Sequence, residues 1–131
     1  MKIEHLALQV PDPIALADWY VKHLGLAVAR STGEPTHTRF LIDSSGAVML
    51  EVYRHPKATI PDYNLTDPLH LHLALQSDNP TADRDRLVKA GAKLVDDVQT
   101  TANGDQLVML RDPWGIAVQL VHRAAPMLKV G

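Results

Sequence analysis

The sequence predicts an α+β fold made of two copies of a βαβββ module, whose curved mixed sheets enclose a cleft. Three observations predict it. Short runs of alternating apolar residues read as strands, two stretches with three- and four-residue apolar spacing read as helices, and five residues recur word for word in both halves of the chain.

The first strand is expected over Lys2 to Val10, with Ile3, His5, Ala7 and Gln9 on one face and Glu4, Leu6, Leu8 and Val10 on the other. Pro11-Asp12-Pro13 breaks it. Ala15, Leu16, Trp19, Tyr20, His23 and Leu24 then follow helical spacing up to Gly25, which predicts a helix over 13–24. Three strands follow at Leu26 to Ser31, His37 to Asp43 and Ala47 to Arg54, separated by Gly/Pro and Ser-Ser-Gly turns. Residues 55–68 carry three prolines and no period, so they form a linker. A second cycle repeats the order: a strand from Leu69 to Ser77, a helix from about Thr81 to Ala90 stopped by Gly91, then strands at Lys93 to Thr100, Asp105 to Arg111 and Ile116 to His122. The chain therefore reads as one domain over 1–131, with modules 1–54 and 69–123 joined by the 55–68 linker.

The repeat itself is His5-Leu6-Ala7-Leu8-Gln9, which returns as His72-Leu73-Ala74-Leu75-Gln76 at an offset of 67 residues. Asp18 and Asp85, Val21 and Val88, and Lys22 and Lys89 keep the same offset in the helices. A module that cannot close its own sheet pairs with its copy, so repeated positions become symmetry mates. The less apolar face of each first strand then points into the cleft with His5 and His72. The last strands place Glu51 and Gln119 there, 46 and 47 residues after their histidines.

Composition narrows the functional classes. Of 131 residues, 46% are hydrophobic and 21% charged, the balance of a globular chain. The net charge of −2, without a block of like charges, excludes the basic footprint of a nucleic-acid binder. With no cysteine there is no disulfide, thiolate nucleophile or Cys-ligated metal, and seven histidines leave N and O donors as the available ligands. The N-terminus has no signal-peptide pattern and no apolar run long enough to span a membrane, so a cytoplasmic protein is expected.

Three segments carry a family resemblance: Ile3-Glu4-His5-Leu6-Ala7-Leu8, Trp19-Tyr20-Val21-Lys22-His23-Leu24-Gly25-Leu26, and Asp112-Pro113-Trp114-Gly115-Ile116-Ala117-Val118-Gln119-Leu120. In this order and with the repeat, the chain resembles the vicinal oxygen chelate superfamily, which includes glyoxalases, fosfomycin-resistance proteins, extradiol dioxygenases, methylmalonyl-CoA epimerases and bleomycin-resistance proteins. The resemblance implies a divalent metal held by His5, Glu51, His72 and Gln119. Two imidazoles, one carboxylate and one amide oxygen suit Zn, Ni, Co, Fe or Mn and leave positions for substrate oxygens. Bound there, the metal acts as a Lewis acid on a small substrate that chelates through vicinal oxygens. The resembling enzymes usually have Glu where this chain has Gln119, which ligates but cannot accept a proton, so Glu51 becomes the catalytic candidate.

Strand parity adds Arg39 and Tyr53 to the cleft, and His70 joins them by sharing a face with His72. The expected activity is a lyase, isomerase or epimerase; the alternative is a metal-free protein that sequesters a drug or metabolite in the bleomycin-resistance manner. A homodimer is expected, because half-closed sheets leave edges that need cover.

Overall fold

A computed structural model describes residues 1–128; the last three residues of the 1–131 span lie outside the described residues. The elements run β1 (His5–Gln9), α1 (Pro13–Leu24), β2 (Ala27–Ser31), β3 (Arg39–Ile42) and β4 (Met49–Tyr53). A 3₁₀ turn (Tyr63–Leu65) precedes β5 (Leu73–Gln76), α2 (Pro80–Lys89), β6 (Lys93–Thr100), β7 (Gln106–Arg111) and β8 (Ala117–His122). The chain divides into two compact units between Pro61 and Asp62, inside the expected linker.

Each unit repeats one topology. The first sheet has the order β1-β4-β3-β2 and the second β5-β8-β7-β6. In both, the first strand pairs in parallel with the last and the remaining pairs are antiparallel. This is the two-module α+β fold the sequence predicts.

Local chemistry sets the helix limits. Asp12 accepts a hydrogen bond from the Ala15 N–H at 3.0 Å and Pro13 occupies the first helical position of α1. The helix ends where Gly25 adopts φ +73°, a left-handed conformation that costs glycine little. Asn79 and Pro80 start α2 in the same way, with the Asn79 side chain accepting from the Ala82 N–H at 3.1 Å. Among the described residues no helix is long and apolar enough to cross a membrane.

The register decides which side chains enter the core. In unit 1, Leu50 and Val52 lie opposite Leu6 and Leu8, and Leu41 opposite Leu50, forming one face. Val10, Leu16, Tyr20, Leu41 and Val52 are all at most 1% exposed. Leu6, on the same face, is 53% exposed; its strand β1 is an outer strand of the sheet. In unit 2, Val118 and Leu120 align with Leu73 and Leu75 on one side and Leu110 and Val108 on the other.

Two expectations need correction. Residues 55–68 are not wholly irregular: Asp62 accepts from the Asn64 N–H to start the 3₁₀ turn, and Tyr63 is 5% exposed in the core. The fifth strand begins at Leu73 rather than Leu69, because the Asp67-Pro68 turn captures the preceding backbone. The Asp67 side chain accepts from the Leu69 N–H at 2.8 Å and its carbonyl from the His70 N–H at 2.8 Å.

Candidate functional site

The face of the first sheet away from the core carries the residues that the repeat singles out. Ala7 lies opposite Glu51 in the parallel β1–β4 pair, and its single methyl leaves room for the Glu51 side chain to reach His5. The Nε2 atom of His5 is 3.0 Å from Oε2 of Glu51. The other ring nitrogen, Nδ1, is engaged by the Glu4 carboxylate. Phe40 closes the side of this pair, its ring edge-on to the His5 imidazole with centroids 5.6 Å apart. The bond to Glu4, then the negative charges of Glu4 and Glu51, hold the His5 pKa above its ordinary 6.5, against the opposing effect of partial desolvation.

Unit 2 repeats the register with different chemistry. Ala74 lies opposite Gln119, as Ala7 lies opposite Glu51. His72 stands one residue before β5, exposed, with Nδ1 2.6 Å from the Pro68 carbonyl oxygen. A carbonyl oxygen only accepts, so Nδ1 carries the proton and the neutral ring presents a lone pair on Nε2.

Each histidine therefore has Nδ1 occupied by an oxygen acceptor, the arrangement that orients imidazole ligands for a metal at Nε2. The His5–Glu51 spacing also fits a shared ion. Two donors, each about 2.1 Å from a metal and at right angles, lie about 3.0 Å apart. Among the described residues, no group of three or more His, Cys, Asp or Glu side chains gathers to hold a metal ion. The structure brings His5 and Glu51 together within unit 1. It sets His72 and Gln119 at repeat-equivalent positions in unit 2.

The other sequence candidates divide. Tyr53 shares the sheet face of Glu51 and pairs with Gln9. Arg39 does not: it lies opposite Val52, on the core-facing side, and its Nη1 is committed to the carbonyls of Thr32, His37 and Thr38 at 3.0–3.2 Å. Phe40, opposite Glu51, takes the place that Arg39 was expected to fill. His70 lies in the Asp67–His70 turn, so strand parity gives it no common face with His72. Sequence reasoning missed Phe40 and Glu4. Pairing β3 with β4 in the register that sets Phe40 opposite Glu51 would have found the first; Glu4 carries no comparable signal.

A family model described as Glyoxalase/Bleomycin resistance protein/Dioxygenase superfamily matches residues 2–120. No curated protein matches the chain. Among solved structures, a glutamate-to-glutamine mutant of glyoxalase I from Zea mays superposes with a TM-score of 0.75 at 18% identity, covering 95% of this chain and 46% of that one. TnmS3, an antibiotic binding protein from Streptomyces sp. CB03234, gives 0.69 at 20% identity, covering 92% and 93%. A glyoxalase/bleomycin resistance protein/dioxygenase family enzyme from Burkholderia phytofirmans PsJN gives 0.74 at 16% identity, covering 92% and 98%.

Proposed function

We propose that this chain, which belongs to the Glyoxalase/Bleomycin resistance protein/Dioxygenase superfamily, is a glyoxalase-like divalent-metal enzyme of the lyase, isomerase or epimerase type. The proposed ligands are His5, Glu51, His72 and Gln119. The observation that carries the reading is the His5 Nε2 to Glu51 Oε2 approach of 3.0 Å, with His5 Nδ1 already engaged by Glu4. When bound, a divalent ion supplies Lewis-acid polarisation of substrate oxygens.

The chain's own groups do the rest. Glu4 and the Pro68 carbonyl hold the two imidazoles at Nδ1 and so keep Nε2 turned outward. Glu51 is the one member of the set able to take a proton from a substrate carbon and return it, while the Gln119 amide ligates without titrating. Phe40 and Tyr53 supply apolar surface on the same face of the sheet, which keeps water from the Glu51 carboxylate. The reading includes a small-molecule substrate, no nucleic-acid or membrane partner, a homodimer and a cytoplasmic location. The charge balance supports the absence of a nucleic-acid partner, and the outer strands of each sheet support the homodimer.

Metal content of protein purified without chelator tests the reading. His5→Ala and His72→Ala should each lose metal, whereas His55→Ala and His122→Ala should keep it. Glu51→Gln should retain much of the metal and abolish turnover in a panel of hemithioacetals, acyl-CoA epimers and catechols. Wild-type protein that takes up no metal would sink it. That outcome would favour the second reading, a drug- or metabolite-sequestering protein, which the non-titrating Gln119 supports.

A further inference from the structure

We propose that unit 1 also binds a small oxyanion, the carboxylate or phosphate group of a small molecule, in the cavity between the 35–37 loop and the 54–60 loop. This cavity has a volume of about 570 Å³ and its walls include Gln9, His37, Arg54, His55 and Ile60. Among the described residues no carboxylate lines it. The site stands apart from the metal reading: none of its lining residues belongs to the proposed ligand set.

Charge and donor geometry point to an anion. Arg54 is exposed, and its guanidinium makes a single long contact, from Nη1 to the Pro11 carbonyl at 3.4 Å. Among the described residues no carboxylate lies within ion-pair distance of it. Four of its five N–H donors are thus available, in a fork whose geometry matches an oxyanion. The His55 ring adds a donor even when neutral. The Lys57 backbone N–H donates to His55 Nδ1 at 3.1 Å, so the ring proton sits on Nε2. His37 is a further residue of the wall. Its backbone adopts φ +48°, a conformation that non-glycine residues hold only where surrounding structure enforces it.

The walls are fixed before any ligand arrives. Gln9, only 8% exposed, holds one loop through its amide: Nε2 donates to the His55 carbonyl at 2.8 Å and the Ala58 carbonyl at 2.9 Å, and Oε1 accepts from the His55 N–H at 2.9 Å. The Arg54 N–H donates to the Thr36 carbonyl at 2.9 Å, tying the two loops to each other. A preorganised concave site with unmet cationic donors loses little conformational entropy on binding an anion. The volume exceeds that of a bare ion, so the natural ligand carries the oxyanion on a larger body.

Titration of the ¹⁵N-labelled full chain with sodium phosphate, and separately with sodium acetate, at constant ionic strength tests this. Saturable amide shifts clustered at residues 35–37 and 54–58 are expected. Whichever anion saturates at lower concentration identifies the group as phosphate or carboxylate. Arg54→Gln should weaken binding about tenfold, and Arg54→Lys, which keeps the charge and loses the fork, by less. Non-saturating shifts, equal shifts with sodium chloride, or an unchanged affinity in a folded Arg54→Gln variant would each overturn the proposal.

Discussion

Arg111 is the side chain whose removal has the most calculable effect. It lies at the end of β7 and reaches three backbone carbonyls: Nη1 donates to Tyr63 at 2.8 Å and Gly115 at 2.9 Å, and Nη2 to Thr66 at 2.9 Å. Two of these belong to the segment leading to His72 and one to the turn leading to Gln119, so one guanidinium braces the approach to both. Arg111→Met keeps the aliphatic stem and removes the fork. Each lost bond from a charged donor is worth about 1 kcal/mol at a half-buried site, and the Tyr63 carbonyl, in a residue 5% exposed, loses a partner that water replaces poorly. The total is about 3 kcal/mol, or a fall in Tm of about 10 °C for a chain of this size. Thermal and urea unfolding followed by circular dichroism would measure it. Hydrogen exchange should quicken at the amides of Leu65 and Thr66, which close the 3₁₀ turn. Arg111→Lys should fall between, since an ammonium cannot span all three carbonyls. A Tm change under about 3 °C in Arg111→Met, with exchange unaltered, would refute the bracing role.

Gly115→Ala should cost about 1–2 kcal/mol, because φ is +91° there. The new Cβ would lie 2.5 Å from Cγ of Asn64, which is exposed and able to swing aside, so Asn64→Ala should recover only a minor part of the loss. Asp105 is held below its ordinary 3.8 by the Arg123 guanidinium and then by the Ala124 N–H. Its contribution to stability is present above that ordinary value and is lost as pH falls through its lower folded value. Asp105→Asn should therefore flatten the acid side of a stability-versus-pH curve below about pH 4. His5 should titrate above 6.5 in metal-free protein. Its stabilising effect is full below 6.5 and vanishes as pH climbs through the raised value; Glu4→Gln should bring the NMR-detected titration back toward 6.5.

The sequence makes some parts of this molecule readable because their determinants are local. Asp12-Pro13 and Gly25 bound α1 through a cap, a fixed φ and a left-handed stop, all within reach of neighbouring residues. The five-residue repeat makes the equivalence of Ala7–Glu51 and Ala74–Gln119 readable, since equal words in equal modules take equal register. Leu69-His70-Leu71-His72 misleads: it alternates like a strand, yet the Asp67 side chain and carbonyl claim its N–H groups first. Arg39 misleads for another reason. Its face depends on the register with β4, and a one-residue slip sends Arg39 and Phe40 to opposite sides. Glu4 and Arg111 are illegible because their roles lie in side-chain reach, to an adjacent ring in one case and to distant carbonyls in the other.

The hydrogen bonds of Gln9 and Arg111 also determine where the chain can be reopened. Gln9 claims the backbone as far as Ala58, and Arg111 claims it again from Tyr63, with Asp62 already bound to Asn64. Among the described residues, no hydrogen bond involves Thr59, Ile60 or Pro61. An engineer wishing to insert a reporter domain, or to move the termini by circular permutation, would find at these three residues a seam that severs none of the bonds holding either duplicated half together.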